Sequence, residues 1–154
     1  MIGDELETAL LGAPCRYSRE DVSEQVGVDI EHASAIWAAM GFAEIPPGEV
    51  AFTERDVAAL RTALELRDSG VVDPDTLLVL ARAMGQGLAR LAEAQVEVFR
   101  GQATGLTADE AHEAALAAAA EVVPRLESLV VHVWRRQFAA AIERSFASVT
   151  SDGH

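Results

Sequence analysis

Lysine is absent from this 154-residue chain, and cysteine occurs once, at Cys15. One thiol makes no internal disulfide and no thiolate metal site. Aromatic residues are scarce, at 5%. No run of 18 apolar residues exists to cross a bilayer, and the Ala-rich run Ala114–Ala120 stops at Glu121. The start, Met1-Ile2-Gly3-Asp4-Glu5, lacks the basic residues of a secretory signal, so a cytoplasmic location is expected. There is no Gly-rich phosphate loop, no HExxH pair and no nucleophile elbow. The chain is therefore expected to catalyse nothing by itself and to need no cofactor.

Charge of one sign dominates what is there. Twenty-five acidic residues face 12 basic ones, all arginines, for a net charge of −13. Such a field repels phosphate backbones and anionic membranes. Half of the residues are hydrophobic, enough for a buried core. The abundance of alanine and leucine favours packed helices.

Helix signals organise the chain. Glu5–Leu11 forms a short helix before Pro14. Ser18 caps the next, with Glu20 and Asp21 in its first turn and Gly27 at its end. Asp29 caps a third, whose apolar positions Ala33, Ile36, Trp37 and Met40 recur at spacings of three and four. Phe42–Ile45, the turn Pro46-Pro47-Gly48 and Val50–Phe52 read as a small hairpin. Thr53 with Asp56 approximates a capping box. Asp73-Pro74 opens a long helix to about Phe99, and Thr107 with Glu110 opens another. Pro124 must kink or divide that last helix.

Beyond Pro124, Leu126, Val130, Trp134, Phe138, Ile142 and Phe146 recur every fourth position. Four residues advance about 400° around a helix, so this ladder drifts over much of the circumference. Such a helix needs more than one neighbour, or a second chain. The pattern divides the chain into a front lobe (1–72), a long-helix lobe for ligand binding and dimerisation (73–147) and a flexible tail (148–154). The front lobe holds 14 acidic residues and five arginines; the remainder holds 11 and seven.

The histidines offer no i, i+4 metal pair. His132 stands apart, in Val130-Val131-His132-Val133-Trp134. It reads either as a satisfied boundary histidine or as a group titrating at a helix or subunit contact.

Two resemblances follow. Residues 17–66 run through Tyr17-Ser18-Arg19-Glu20-Asp21-Val22, Gly27-Val28-Asp29, the hairpin and Phe52-Thr53-Glu54-Arg55-Asp56-Val57. This order resembles the helix–turn–helix and wing of MerR-type transcription regulators. The corresponding recognition helix, Asp29–Met40, carries two acids and no arginine or lysine, so nucleic-acid binding is not expected.

The second resemblance covers nearly the whole chain. It rests on Glu24-Gln25-Val26-Gly27-Val28-Asp29, the segment Leu77–Glu93 with Ala81-Arg82-Ala83-Met84-Gly85-Gln86-Gly87, Val122-Val123-Pro124-Arg125-Leu126 and Val131–Phe138. These resemble the N-terminal regulatory domain of mycobacterial and other actinobacterial class III adenylate cyclases. The resemblance implies an all-α dimeric module with a MerR-like front, whose last helix leads to a cyclase domain in cis. It also implies inhibition that depends on pH and binding of a long-chain fatty acid. A fatty acid is then expected between Leu88, Leu91, Val98 and Phe99 on one long helix and Val130, Trp134 and Phe138 on the other. Arg90, Arg135 or Arg136 would meet its carboxylate, and His132 would sense pH. The alternatives are a MerR-type regulator with a degenerate DNA surface and a bare dimerisation module.

Overall fold

The computed structural model describes residues 3–153 and is helical throughout its regular structure. Among the described residues seven helices follow in order: α1 (Asp4–Leu11), α2 (Arg19–Val26), α3 (Ile30–Ala39), α4 (Glu54–Asp68), α5 (Pro74–Ala103), α6 (Ala108–Glu121) and α7 (Val123–Asp152). Two compact units result, the first ending at Ala108 and the second beginning at Asp109.

Side-chain caps start α2, α3, α4 and α5 of the first unit, while α1 begins after Gly3 without one. Ser18 accepts from the Asp21 amide while Asp21 accepts from the Ser18 amide, a reciprocal box at α2. Thr53 and Asp56 build the same device at α4, and Thr53 is only 1% exposed. Asp29 takes the His32 amide at 2.8 Å, and Asp73 takes the Thr76 amide at 2.8 Å with Pro74 following. Each cap satisfies donors that a helix start leaves unpaired.

Two apolar clusters hold this unit. Val22, Phe52 and Val57 form one; Ile36, Leu64 and Leu77 form the other. Val26 and Leu60 pack against both, so the clusters join. A close helix approach lies at Gly85 on α5. A Cβ there would stand 2.2 Å from the Met40 carbonyl oxygen at the end of α3. Only a residue without a side chain permits this crossing.

The hairpin expected over 42–52 is not formed, and this overturns the MerR-like winged-helix reading of residues 17–66. Among the described residues there is no β-strand, only an isolated antiparallel bridge between Tyr17 and Phe52. The physical cause is a change of partner. The Arg16 and Tyr17 amides donate to the Phe52 carbonyl at 2.9 and 3.0 Å, and the Phe52 amide returns to Tyr17 at 3.0 Å. Phe42 instead stacks against Trp37, with ring centroids 4.4 Å apart. The Trp37 indole N–H donates to the Ala43 carbonyl at 2.8 Å. Pro46 and Pro47 bring no amide hydrogen to any ladder. The Gly48 amide donates to Glu20 of α2 at 3.1 Å, tying the turn to the helix. The fold class is therefore an all-α bundle without a wing, and the transcription-regulator alternative loses the feature on which it stood.

In the second unit Pro124 does not kink a continuous helix. It stands in the first turn of α7, directly after the break at Val122. The Leu126 amide reaches back to the Val122 carbonyl at 2.9 Å. Proline is well suited to this position, where no donor is missed. α7 then runs for 30 residues without burying one of them. No described helix is long and apolar enough to cross a membrane.

Candidate functional site

Two features of the molecule have the character of binding surfaces. The first is a cleft of about 460 Å³ in the first unit, between α2, α3, α4 and the start of α5. Its volume falls in the range of small-molecule pockets, roughly 300–1,000 Å³. Alanines make the room: Ala33 and Ala38 of α3, Ala59 and Ala63 of α4 and Ala81 of α5 all line it. Larger walls come from Ile36, Trp37, Ile45, Phe52, Leu60 and Met84. Trp37 meets Phe52 edge to face at 5.0 Å between centroids.

Charge enters the cleft through Arg19, Glu44 and Asp56. Arg19 Nε lies 3.3 Å from Glu20, and its Nη1 lies 3.5 Å from Glu44 and 3.4 Å from the Ile45 carbonyl. The Glu20 carboxyl is held below its ordinary value, first by the amide at its own helix start, then by the Gly48 amide. Asp56 spends one oxygen on the Thr53 amide at 2.8 Å and hydroxyl at 3.0 Å.

The second feature is the apolar surface of α7. Leu129, Val131, Val133, Trp134, Phe138, Ile142, Phe146 and Val149 are all exposed. Trp134 and Phe138 stack one turn apart, with centroids separated by 5.9 Å. Interspersed among them stand Arg125, Arg135, Arg136 and Arg144.

The nine residues expected to hold a ligand divide between the two units. Leu88, Arg90, Leu91, Val98 and Phe99 lie on α5 in the first; Val130, Trp134, Arg135 and Phe138 lie on α7 in the second. All are exposed except Val130 and Phe99, which are half-buried. His132 is exposed on α7. None of these residues lines the cleft of the first unit. That cleft escaped the sequence reading because small side chains create it, and alanines in a helix look like ordinary helix formers. Its only sequence signal is their recurrence at Ala33, Ala59, Ala63 and Ala81, each one facing the same space.

No group of three or more His, Cys, Asp or Glu side chains among the described residues is placed to hold a metal ion. Cys15 is half-buried, with Sγ donating to Glu7 at 3.2 Å. Burial pushes its thiol up to about 11 from 9.0, and the hydrogen bond and charge of Glu7 add to the effect. A thiol held neutral in this way is a poor nucleophile.

The chain belongs to the adenylate cyclase regulatory domain family, whose model matches residues 6–141. It is 38% identical over 144 residues to an adenylate cyclase of Streptomyces coelicolor, an alignment covering 90% of this chain and 37% of that protein. An adenylate cyclase of Streptomyces griseus is also 38% identical over 144 residues, with 90% and 35% covered. One from Glutamicibacter nicotianae is 31% identical over 142 residues, again with 90% and 35% covered. The chain thus spans little more than a third of the length of these relatives. It corresponds to a regulatory, non-catalytic domain associated with adenylate-cyclase-like proteins of actinobacteria.

Proposed function

We propose that this chain is a homodimeric sensor that biases the arrangement of class III adenylate cyclase domains attached in cis. The observation that carries the reading is α7. A 30-residue helix with no fully buried residue, which presents Trp134, Phe138, Ile142 and Phe146, needs a cover. Isolated contiguous apolar faces of this kind mark association surfaces, and a second copy of the chain supplies a matching face by symmetry.

The sensor has two candidate inputs. A long-chain fatty acid is one, with Leu88, Leu91, Val98, Phe99 and Arg90 of α5 and, on the other unit, Val130, Trp134, Phe138 and Arg135 of α7 as its candidate contacts. Proton binding at His132 is the other. Either input regulates only through a difference in affinity for two arrangements of the dimer.

Sedimentation equilibrium and native mass spectrometry of detergent-free protein test the reading together. The expected result is a dimer that Phe138→Glu converts to monomer without loss of helicity. A wild-type chain that stays monomeric at tens of micromolar would remove the proposal. About one fatty acid per subunit would support the lipid input. A dimer whose cyclase output keeps its pH response in His132→Ala would remove the proton input at that residue.

A further inference from the structure

The cleft in the first unit has no cation to spare for an acidic ligand. Arg19 is its only basic residue, and the guanidinium is already engaged by Glu20, Glu44 and the Ile45 carbonyl. Glu44 and Asp56 leave the lining with two carboxylates against one guanidinium. The surroundings reinforce that sign, because residues 1–108 hold 18 acidic residues and eight arginines. Inside, the walls are apolar, and Trp37 with Phe52 presents aromatic surface. Aromatic faces attract cations through the ring quadrupole. A carboxylate entering this space meets an arginine already paired and a local surplus of negative charge; an ammonium meets that surplus, with Glu44 shared with Arg19 and Asp56 shared with the Thr53 cap, and an aromatic wall.

We infer that the cleft between α3, α4 and α5 is a binding site for a small hydrophobic cation, an aryl- or alkylammonium compound. This site is separate from the fatty-acid input proposed above and shares no residue with it. Its failure leaves that reading standing, and the reverse holds. Occupancy would be felt by α5 through Leu77, Ala81 and Met84.

The test uses the whole 154-residue chain in a Trp134→Phe background, so that Trp37 is the single fluorescent reporter. Three probes share one skeleton and differ in charge: 3-phenylpropylamine, 3-phenylpropanol and 3-phenylpropanoate, titrated at pH 7. The ammonium should bind tightest and the carboxylate weakest. Glu44→Gln, a change at a side chain 84% exposed, should weaken the ammonium about three- to tenfold, the range of one charge or cation–π contact. Ala59→Phe should fill the cleft and abolish the titration while the helical circular dichroism is retained. Carboxylate or alcohol binding as tight as the ammonium overturns the proposal. So does an ammonium titration unchanged by Ala59→Phe, or no binding of any probe.

Discussion

Two glycines in the same turn of α5 are expected to respond in opposite ways to the same methyl group. At Gly85 an added Cβ would lie 2.2 Å from the Met40 carbonyl oxygen, 2.6 Å from its carbon and 2.8 Å from its Cα. All three are backbone atoms, so no flexible side chain can swing away. At Gly87 nothing lies within 4 Å. Alanine is favoured over glycine in a helix interior by about 0.8–1 kcal/mol, and both substitutions gain that term. Overpacking a tight contact costs about 1–3 kcal/mol, and backbone against backbone belongs at the upper end. Gly85→Ala should therefore lose roughly 1–2 kcal/mol net. That corresponds to a fall in Tm of about 2–8 °C for a chain of this size. Gly87→Ala should raise Tm by roughly 2–4 °C. Urea unfolding with circular dichroism reads both, and an unchanged m value shows that stability alone moved. If Gly85→Ala stabilises as much as Gly87→Ala, the crossing of α3 and α5 is not as tight as argued, and the geometry of the cleft beside it falls as well.

Two further outcomes test local chemistry. Thr53→Ala removes a buried cap that accepts from both the Arg55 and Asp56 amides and should cost about 0.5–2 kcal/mol in the same unfolding assay, with Thr53→Ser recovering most of it. Cys15 should react slowly with a disulfide reagent at pH 8 in the native protein and faster in Glu7→Gln, which removes the bonded carboxylate. Its folded value near 11 stands above the ordinary 9.0, so the folded state favours the neutral thiol. That contribution is fully present below pH 9 and disappears as pH rises through 11. Stability of the wild type should thus fall more steeply than that of Cys15→Ser over this interval.

Much of the helical order is legible in the sequence because helix starts are local events. Ser18, Asp29, Thr53 and Asp73 each need only a neighbour three residues away, and each finds it. Pro124 likewise marks a boundary by its own covalent structure. The hairpin failed for the opposite reason. Phe42–Ile45 and Val50–Phe52 have strand-like composition, but a strand exists only through its partner. Phe52 found Tyr17, some 35 positions earlier, and Phe42 found the Trp37 ring. The cleft was illegible on different grounds, since absent side-chain volume leaves no periodic signature. The fourfold ladder from Leu126 to Phe146 did announce a helix apolar around much of its girth. What covers that girth is not written in one copy of the chain.

The narrow crossing at Gly85 also gives α5 the mechanics of a lever. Leu77 and Ala81, its only buried residues, lie before that point, so the fulcrum is close to one end. The arm from Gly85 to Ala103 extends about 27 Å at 1.5 Å per residue. A tilt of roughly 10° about the fulcrum would carry its tip about 5 Å, nearly one helical pitch. A small adjustment where α3 meets α5 thus becomes a displacement large enough to exchange one set of side-chain contacts for another at the far end.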